Sequence, residues 1–194
     1  MKIFDPQNRF FSSLNVIADC FLLSIFWTLA ILPVVTIFSA TVALWDAVEY
    51  GMLGRQDDSW KIFVASLKSN LRGSWLLSLS YALIYIISFP AFYLCSVYLD
   101  MYRLLSVMLG FLLVFYLCYS ILFFYLTYTV REFAGSLPLL WLQAVRAFFS
   151  NWKVSLISVV LVLIMSTMYY NFPISLFFLP TILACIQVRI YKNL

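Results

Sequence analysis

The chain has 194 residues, 65% of them apolar and only 10% charged, with a formal net charge of +4. A soluble domain carries about 25% charged residues, and in water this composition would leave apolar patches larger than soluble monomers tolerate. It argues against a water-soluble catalytic domain, and because the cations are scattered between apolar runs, it reads as positive-inside loops and no nucleic-acid surface.

The segment before Asn15, MKIFDPQNRFFSSL, has two cations but also Asp5, and no small-residue cleavage motif after a short apolar core. It is expected to be an uncleaved start on the cytoplasmic side. Six apolar runs follow, at about 14–32, 34–53, 73–97, 104–130, 154–170 and 173–190, against the roughly 20 helical residues needed to cross a hydrocarbon core. The fold expected is all-α: one polytopic transmembrane bundle over 1–194, with six spans in three tight hairpins. Five spans are the alternative, because the C-terminal end of 34–53 carries Asp46 and Glu49, as a half-inserted helix would.

Charge placement favours six. With six crossings both termini are cytoplasmic, and Lys2, Arg9, Arg55, Lys61, Lys68, Arg72, Arg131, Arg146, Lys153, Arg189 and Lys192 all fall inside. Only Arg103, beside Asp100, falls outside. That asymmetry is the positive-inside rule. Trp60, Trp75, Trp141 and Trp152 sit close to the inner boundary, and Tyr93, Tyr98, Tyr102, Tyr169 and Tyr170 close to the outer one, as an aromatic belt requires.

Two cytoplasmic segments, about 55–72 and 131–153, are predicted to be interfacial. Trp60, Phe63, Val64 and Leu67 recur at helical spacing, and Leu139, Leu142, Val145, Ala147 and Phe149 do something similar after Pro138, with Arg146 nearby. Each pattern predicts a short amphipathic helix lying in the headgroup region. Each ends in a similar polar junction, Ser69-Asn70-Leu71-Arg72 and Ser150-Asn151-Trp152-Lys153, with a fainter echo at Phe10–Asn15. The echoes are compatible with a degenerate repeat and also with ordinary N-caps at a cationic boundary.

The tract Leu32-Pro33-Val34-Val35-Thr36, then a small-residue helix, then Phe63, Ser66, Leu67, Lys68, Asn70, Leu71 and Arg72, resembles the YesL family of bacterial membrane proteins. The chain departs from that pattern after Thr36, where Ile37-Phe38 replaces a common glycine; this stiffens the bend expected after Pro33. The resemblance implies a plasma-membrane protein of a Gram-positive bacterium, in the setting of carbohydrate uptake beside sugar ABC importers. It implies no biochemical activity.

Among residues that carry chemistry, Asp19 lies inside the first run, on one helix face with Asn15. An acid there is costly, and such acids are paired or functional. Arg72, Lys153 or a hydrogen-bond donor on a neighbouring helix are the partners expected. Asp46 and Glu49, three residues apart, share a face. They can act as an acid–base or cation-binding pair, or be solvated and paired with Arg55 or Lys61. Ser39, Ala43 and Ala47 form a small-residue stripe for close helix packing, with homo-oligomerisation as the lesser alternative. Pro33 and Pro173 fit outer hairpin turns, whereas Pro90 and Pro180 fall inside spans and should kink them.

Histidine is absent and the four cysteines, Cys20, Cys95, Cys118 and Cys185, have no paired spacing. No Ser-His or Cys-His pair, HExxH site or phosphate-binding glycine loop is therefore encoded. No enzyme activity, metal or cofactor is expected. The function expected is that of an accessory or regulatory membrane subunit linked to a sugar ABC importer, with membrane lipid and importer subunits or another membrane protein as partners. A small transporter in its own right, or a helper in cell-envelope polymer assembly, are the competing readings.

Overall fold

The computed structural model describes residues 9–54, 58–97, 103–132 and 136–191. Lys2, Asp5, Arg55, Tyr98, Asp100, Tyr102 and Lys192 lie outside the described residues, as do the side chains of Arg9, Cys95 and Arg103. The part of the charge asymmetry that they carry lies outside as well.

The described residues are all-α, in seven α-helices. Helix α1 (Arg9–Ile31) ends before Pro33, and a 3-10 turn (Val34–Thr36) leads into α2 (Ile37–Asp46). A π-helical segment (Ala47–Leu53) continues α2 directly. Then come α3 (Ser59–Val97), α4 (Arg103–Glu132), α5 (Leu137–Ser150) and α6 (Trp152–Asn171), a 3-10 turn (Pro173–Phe177) and α7 (Leu179–Tyr191). Among the described residues, two helices, Gly110–Arg131 and Trp152–Asn171, are long and apolar enough to cross a membrane; Asn15–Ile31 and Leu179–Tyr191 are apolar but shorter.

The turn at Pro33 is built locally. Proline cannot continue α1, because it lacks the amide proton and its ring clashes with the preceding turn. The Thr36 hydroxyl then closes the bend by donating to the carbonyls of Ala30 and Pro33.

Helix α2 forms the centre of the protein. Every residue from Phe38 to Trp45 is buried. Ser39, Ala43 and Ala47 are fully enclosed, so the small-residue stripe packs internally and is not available to a second copy. Small side chains let α3 approach closely, and the Ser78 hydroxyl accepts the amide proton of Phe38 at 3.2 Å. This satisfies one of the amides that a helix N-terminus leaves without an intrahelical partner.

Aromatic packing joins the rest. Tyr81 of α3 and Tyr119 of α4 stack with ring centroids 4.3 Å apart, and each hydroxyl donates to the other's backbone carbonyl. Tyr125 of α4 reaches Ser155 of α6 at 3.1 Å. Helix α7 is tied to α1 through Thr181, whose hydroxyl lies 2.7 Å from that of Ser24 and 3.1 Å from the carbonyl of Cys20. Thr181→Val should cost about 1 kcal/mol, since it leaves the buried Ser24 hydroxyl without this partner. Thermal unfolding in a mild detergent measures it, and an unchanged midpoint would show that the Ser24–Thr181 contact contributes nothing.

Three sequence expectations are corrected here. The segment at Trp60–Leu67 is not a separate interfacial helix: it is the first part of α3, which runs unbroken to Val97. Asn70 marks no junction, because its amide donates to the Ser66 carbonyl one turn back at 2.9 Å, inside a continuing helix. Asn151 does break the chain, with φ −109° and ψ 53° between α5 and α6. Pro180 lies in the first turn of α7, where a missing amide proton costs nothing, so it kinks no helix. Pro90 does lie within α3.

Candidate functional site: a guanidinium between two carboxylates

Beside the π-helical segment, Asp46, Glu49 and Arg131 form a charged cluster that is largely inside the protein. A π-helix is rare, and mostly appears as a short bulge at functional sites. Here it follows the last turn of α2, so that Asp46 and Glu49 both face the end of α4. Arg131 of α4 lies between them. Its Nε donates to Asp46 Oδ1 at 2.9 Å and its Nη2 to Glu49 Oε2 at 2.7 Å. The planar guanidinium thus offers one donor to each acid, a division that a lysine ammonium cannot reproduce with fixed geometry.

The cluster is largely withdrawn from solvent, with side-chain exposures of 11% for Arg131, 20% for Asp46 and 18% for Glu49. Partial burial strengthens the attraction relative to a surface pair and makes any unpaired member costly. Ser66 of α3 donates to the second carboxylate oxygen of Asp46 at 2.5 Å, and Asn70 in turn donates to the Ser66 hydroxyl at 3.2 Å. The ring of Trp45 lies 6.0 Å from the Arg131 guanidinium carbon. The site therefore joins α2, the π-helical segment, α3 and α4.

Among the described residues, Arg131 is thus a partner of both acids. Lys61 pairs with Asp58 at 2.6 Å, and Arg55 lies outside the described residues. In the sequence Arg131 reads only as a boundary cation. Nothing local in the sequence marks a partner 85 residues distant.

Asp19 is placed beside this region and outside the cluster. Among the described residues its partner is the Ser59 hydroxyl at the start of α3, at 3.4 Å. No described ion pair joins it to Arg72 or Lys153, which are exposed. Asn15, Lys68 and Lys153 are also exposed, and Lys153 lies over the Trp152 ring at 5.9 Å.

Gly51 explains how the π-helical segment and α3 come so close. A Cβ at that position would stand 2.7 to 2.9 Å from Ser59 Oγ, Cα and Cβ. Backbone lies among those atoms, so the neighbour cannot swing aside. Gly51→Ala should destabilise the protein by about 1–3 kcal/mol through overpacking. It should also weaken the Ser59–Asp19 contact. Wild-type thermal stability in the variant would refute this close approach.

Among the described residues no group of three or more His, Cys, Asp or Glu is placed to hold a metal ion. The described cysteines, Cys20, Cys118 and Cys185, are free thiols.

Residues 20–92 match a family described as a protein of unknown function, DUF624. The match covers less than half of the chain. It takes in α1 from Cys20 onward, α2, the π-helical segment and α3 as far as residue 92, and with them Asp46, Glu49, Gly51, Ser66 and Asn70. Arg131 falls outside it. No curated protein and no solved structure matches the chain. Over this stretch the chain is similar to a family that carries no assigned activity.

Proposed function

We propose that the chain is a non-enzymatic, multi-pass protein of the plasma membrane, of the YesL type, that acts as an accessory or regulatory subunit beside a sugar ABC importer. The observation that carries the membrane reading is the surface of α6. Only 12% of its apolar window is buried within the protein, and Leu156, Ile157, Val160, Leu163, Ile164 and Met168 are all exposed. Val16, Ile17, Phe21 and Leu22 of α1 and Phe111, Leu113, Val114 and Phe115 of α4 are exposed as well. Apolar surface over that extent calls for lipid.

In this reading the six apolar runs cross the bilayer, with both termini and the cluster of Asp46, Glu49 and Arg131 toward the cytoplasm. Helix α5 then lies in the inner interface, presenting Leu139, Leu142 and Phe149 beside Arg146. That surface is the one offered to a partner subunit. The importer setting is supported by the resemblance of the Leu32–Thr36 and Phe63–Arg72 tracts to the YesL family.

Single-cysteine labelling in intact cells and in inverted vesicles, in a background with the native thiols replaced, tests the topology. Positions 56 and 134 should label only in inverted vesicles and position 99 only in intact cells. Any reversal removes the six-span arrangement. Purification in mild detergent should recover importer subunits, and deletion should alter sugar uptake; failure of both would remove the accessory role.

A second reading, transport by the chain itself, is favoured by irregular helical backbone beside two carboxylates, a combination used at ion sites in transporters. Flux in proteoliposomes distinguishes it.

A further inference from the structure

A cavity of about 290 Å³ lies between α1, α2, α3, α4, α6 and α7. Its walls are mainly apolar and include the aromatic rings of Trp27, Trp45, Tyr81, Phe123 and Phe124, and no acidic or basic side chain lines it. Gln187 of α7 also lines it. This glutamine is completely buried, yet neither its Nε2 nor its Oε1 has a hydrogen-bond partner among the described residues. Burying a carboxamide with both ends unsatisfied is among the more costly choices a core can make. Helix α7 buries Pro180, Thr181, Ala184, Gln187, Val188 and Tyr191, so Gln187 stands on the helix's inward face and cannot turn to the outside.

We propose that this cavity is a binding site for an uncharged amphiphile, whose apolar body lies against the aromatic walls and whose polar end presents a donor and an acceptor together to Gln187. The uncharged lining excludes an ionic ligand, since an ion there would lose its hydration with no counter-charge. The carboxamide has one acceptor oxygen and two donor hydrogens side by side, which matches a vicinal diol or an amide. The volume is at the lower end of small-molecule sites. The walls are not sealed, because Trp27, Ser120, Phe123 and Tyr169 are only partly buried. The proposal goes beyond the accessory role and does not depend on it.

Two sources offer this chemistry: a bilayer lipid with a glycerol diol end, and a small water-borne amide. The protein, in phosphatidylcholine nanodiscs, is titrated with a short-chain 1-monoacylglycerol and, separately, with benzamide. Trp27 and Trp45 line the cavity, so intrinsic fluorescence reports filling, and the thermal midpoint reports linkage. Saturable binding of either probe, with a raised midpoint, is expected, and the probe that binds identifies the source. An alkane of matching length should not saturate.

Gln187→Leu and Gln187→Met keep the bulk and remove the amide. Each should weaken binding about tenfold, the scale of one to two lost hydrogen bonds. Each should also raise the unliganded midpoint, because an unsatisfied buried amide is gone. Ala184→Phe, directed into the cavity, should abolish saturation. Absence of saturable binding to the wild type, which would leave only water satisfying the amide, overturns the proposal. So does wild-type affinity in whichever Gln187 variant folds.

Discussion

Arg131→Leu is expected to lower stability by about 3 kcal/mol, at the lower end of the range for breaking a buried ion pair because the cluster keeps some contact with solvent. Removing the guanidinium leaves Asp46 and Glu49 facing each other in a partly desolvated pocket, with Ser66 as the remaining donor to Asp46. The cost is thus chiefly that of two partly buried carboxylates that have lost the guanidinium between them. Two further results separate this from simple loss of packing. Adding Asp46→Asn and Glu49→Gln to Arg131→Leu should restore much of the midpoint, because no uncompensated charge remains. Raising the salt concentration should affect the wild type little, since a withdrawn pair is poorly screened. A triple variant no more stable than Arg131→Leu alone would refute this account. Arg131→Lys should fall between, because one ammonium cannot hold both carboxylates in the fork that Nε and Nη2 provide.

Trp45→Ala should cost about 3–5 kcal/mol, the range for removing a large buried aromatic side chain. Trp45 is 1% exposed and packs against Tyr191 with ring centroids 5.5 Å apart. Helix α2 is enclosed from Phe38 to Trp45 and packed on every side there, so its neighbours cannot readily collapse into the space. The ring also borders the Gln187 cavity, and truncation enlarges that void. The guanidinium of Arg131 loses its aromatic face as well, a smaller contribution. Trp45→Phe keeps most of the packing and should lose much less. Equal midpoints for Trp45→Ala and Trp45→Phe, measured in the same detergent, would show that the ring is not a packing element.

The Asn70 and Asn151 tracts show how far local sequence reaches. Both read Ser-Asn, then an apolar residue, then a cation, and both precede a long apolar run. One lies inside an unbroken helix and the other separates two helices. The difference comes from what surrounds them. Around Asn151, Ser155 donates to the Phe148 carbonyl at 2.9 Å, and Tyr125 of α4 donates to the Asn151 carbonyl at 3.3 Å. These contacts satisfy groups that a break exposes. Asn70 has the Ser66 carbonyl within reach, and α3 continues past it to Val97, packed against α2. Backbone groups in an apolar setting must be satisfied somewhere, and only the tertiary arrangement decides where.

Composition and periodicity by themselves determined the helical class, the apolar runs, the turn at Pro33 and the internal role of Ser39, Ala43 and Ala47. These depend on side-chain apolarity, on proline's missing amide proton and on helical spacing, all of which are local. The two acids at positions 46 and 49 were also visible as out of place in an apolar run. Their partner was not, because an ion pair between α2 and α4 leaves no pattern within either helix. The π-helical segment, the Gly51–Ser59 approach and the burial of Gln187 were equally hidden. Each depends on which helix lies opposite, and that is settled by how the whole bundle packs around α2.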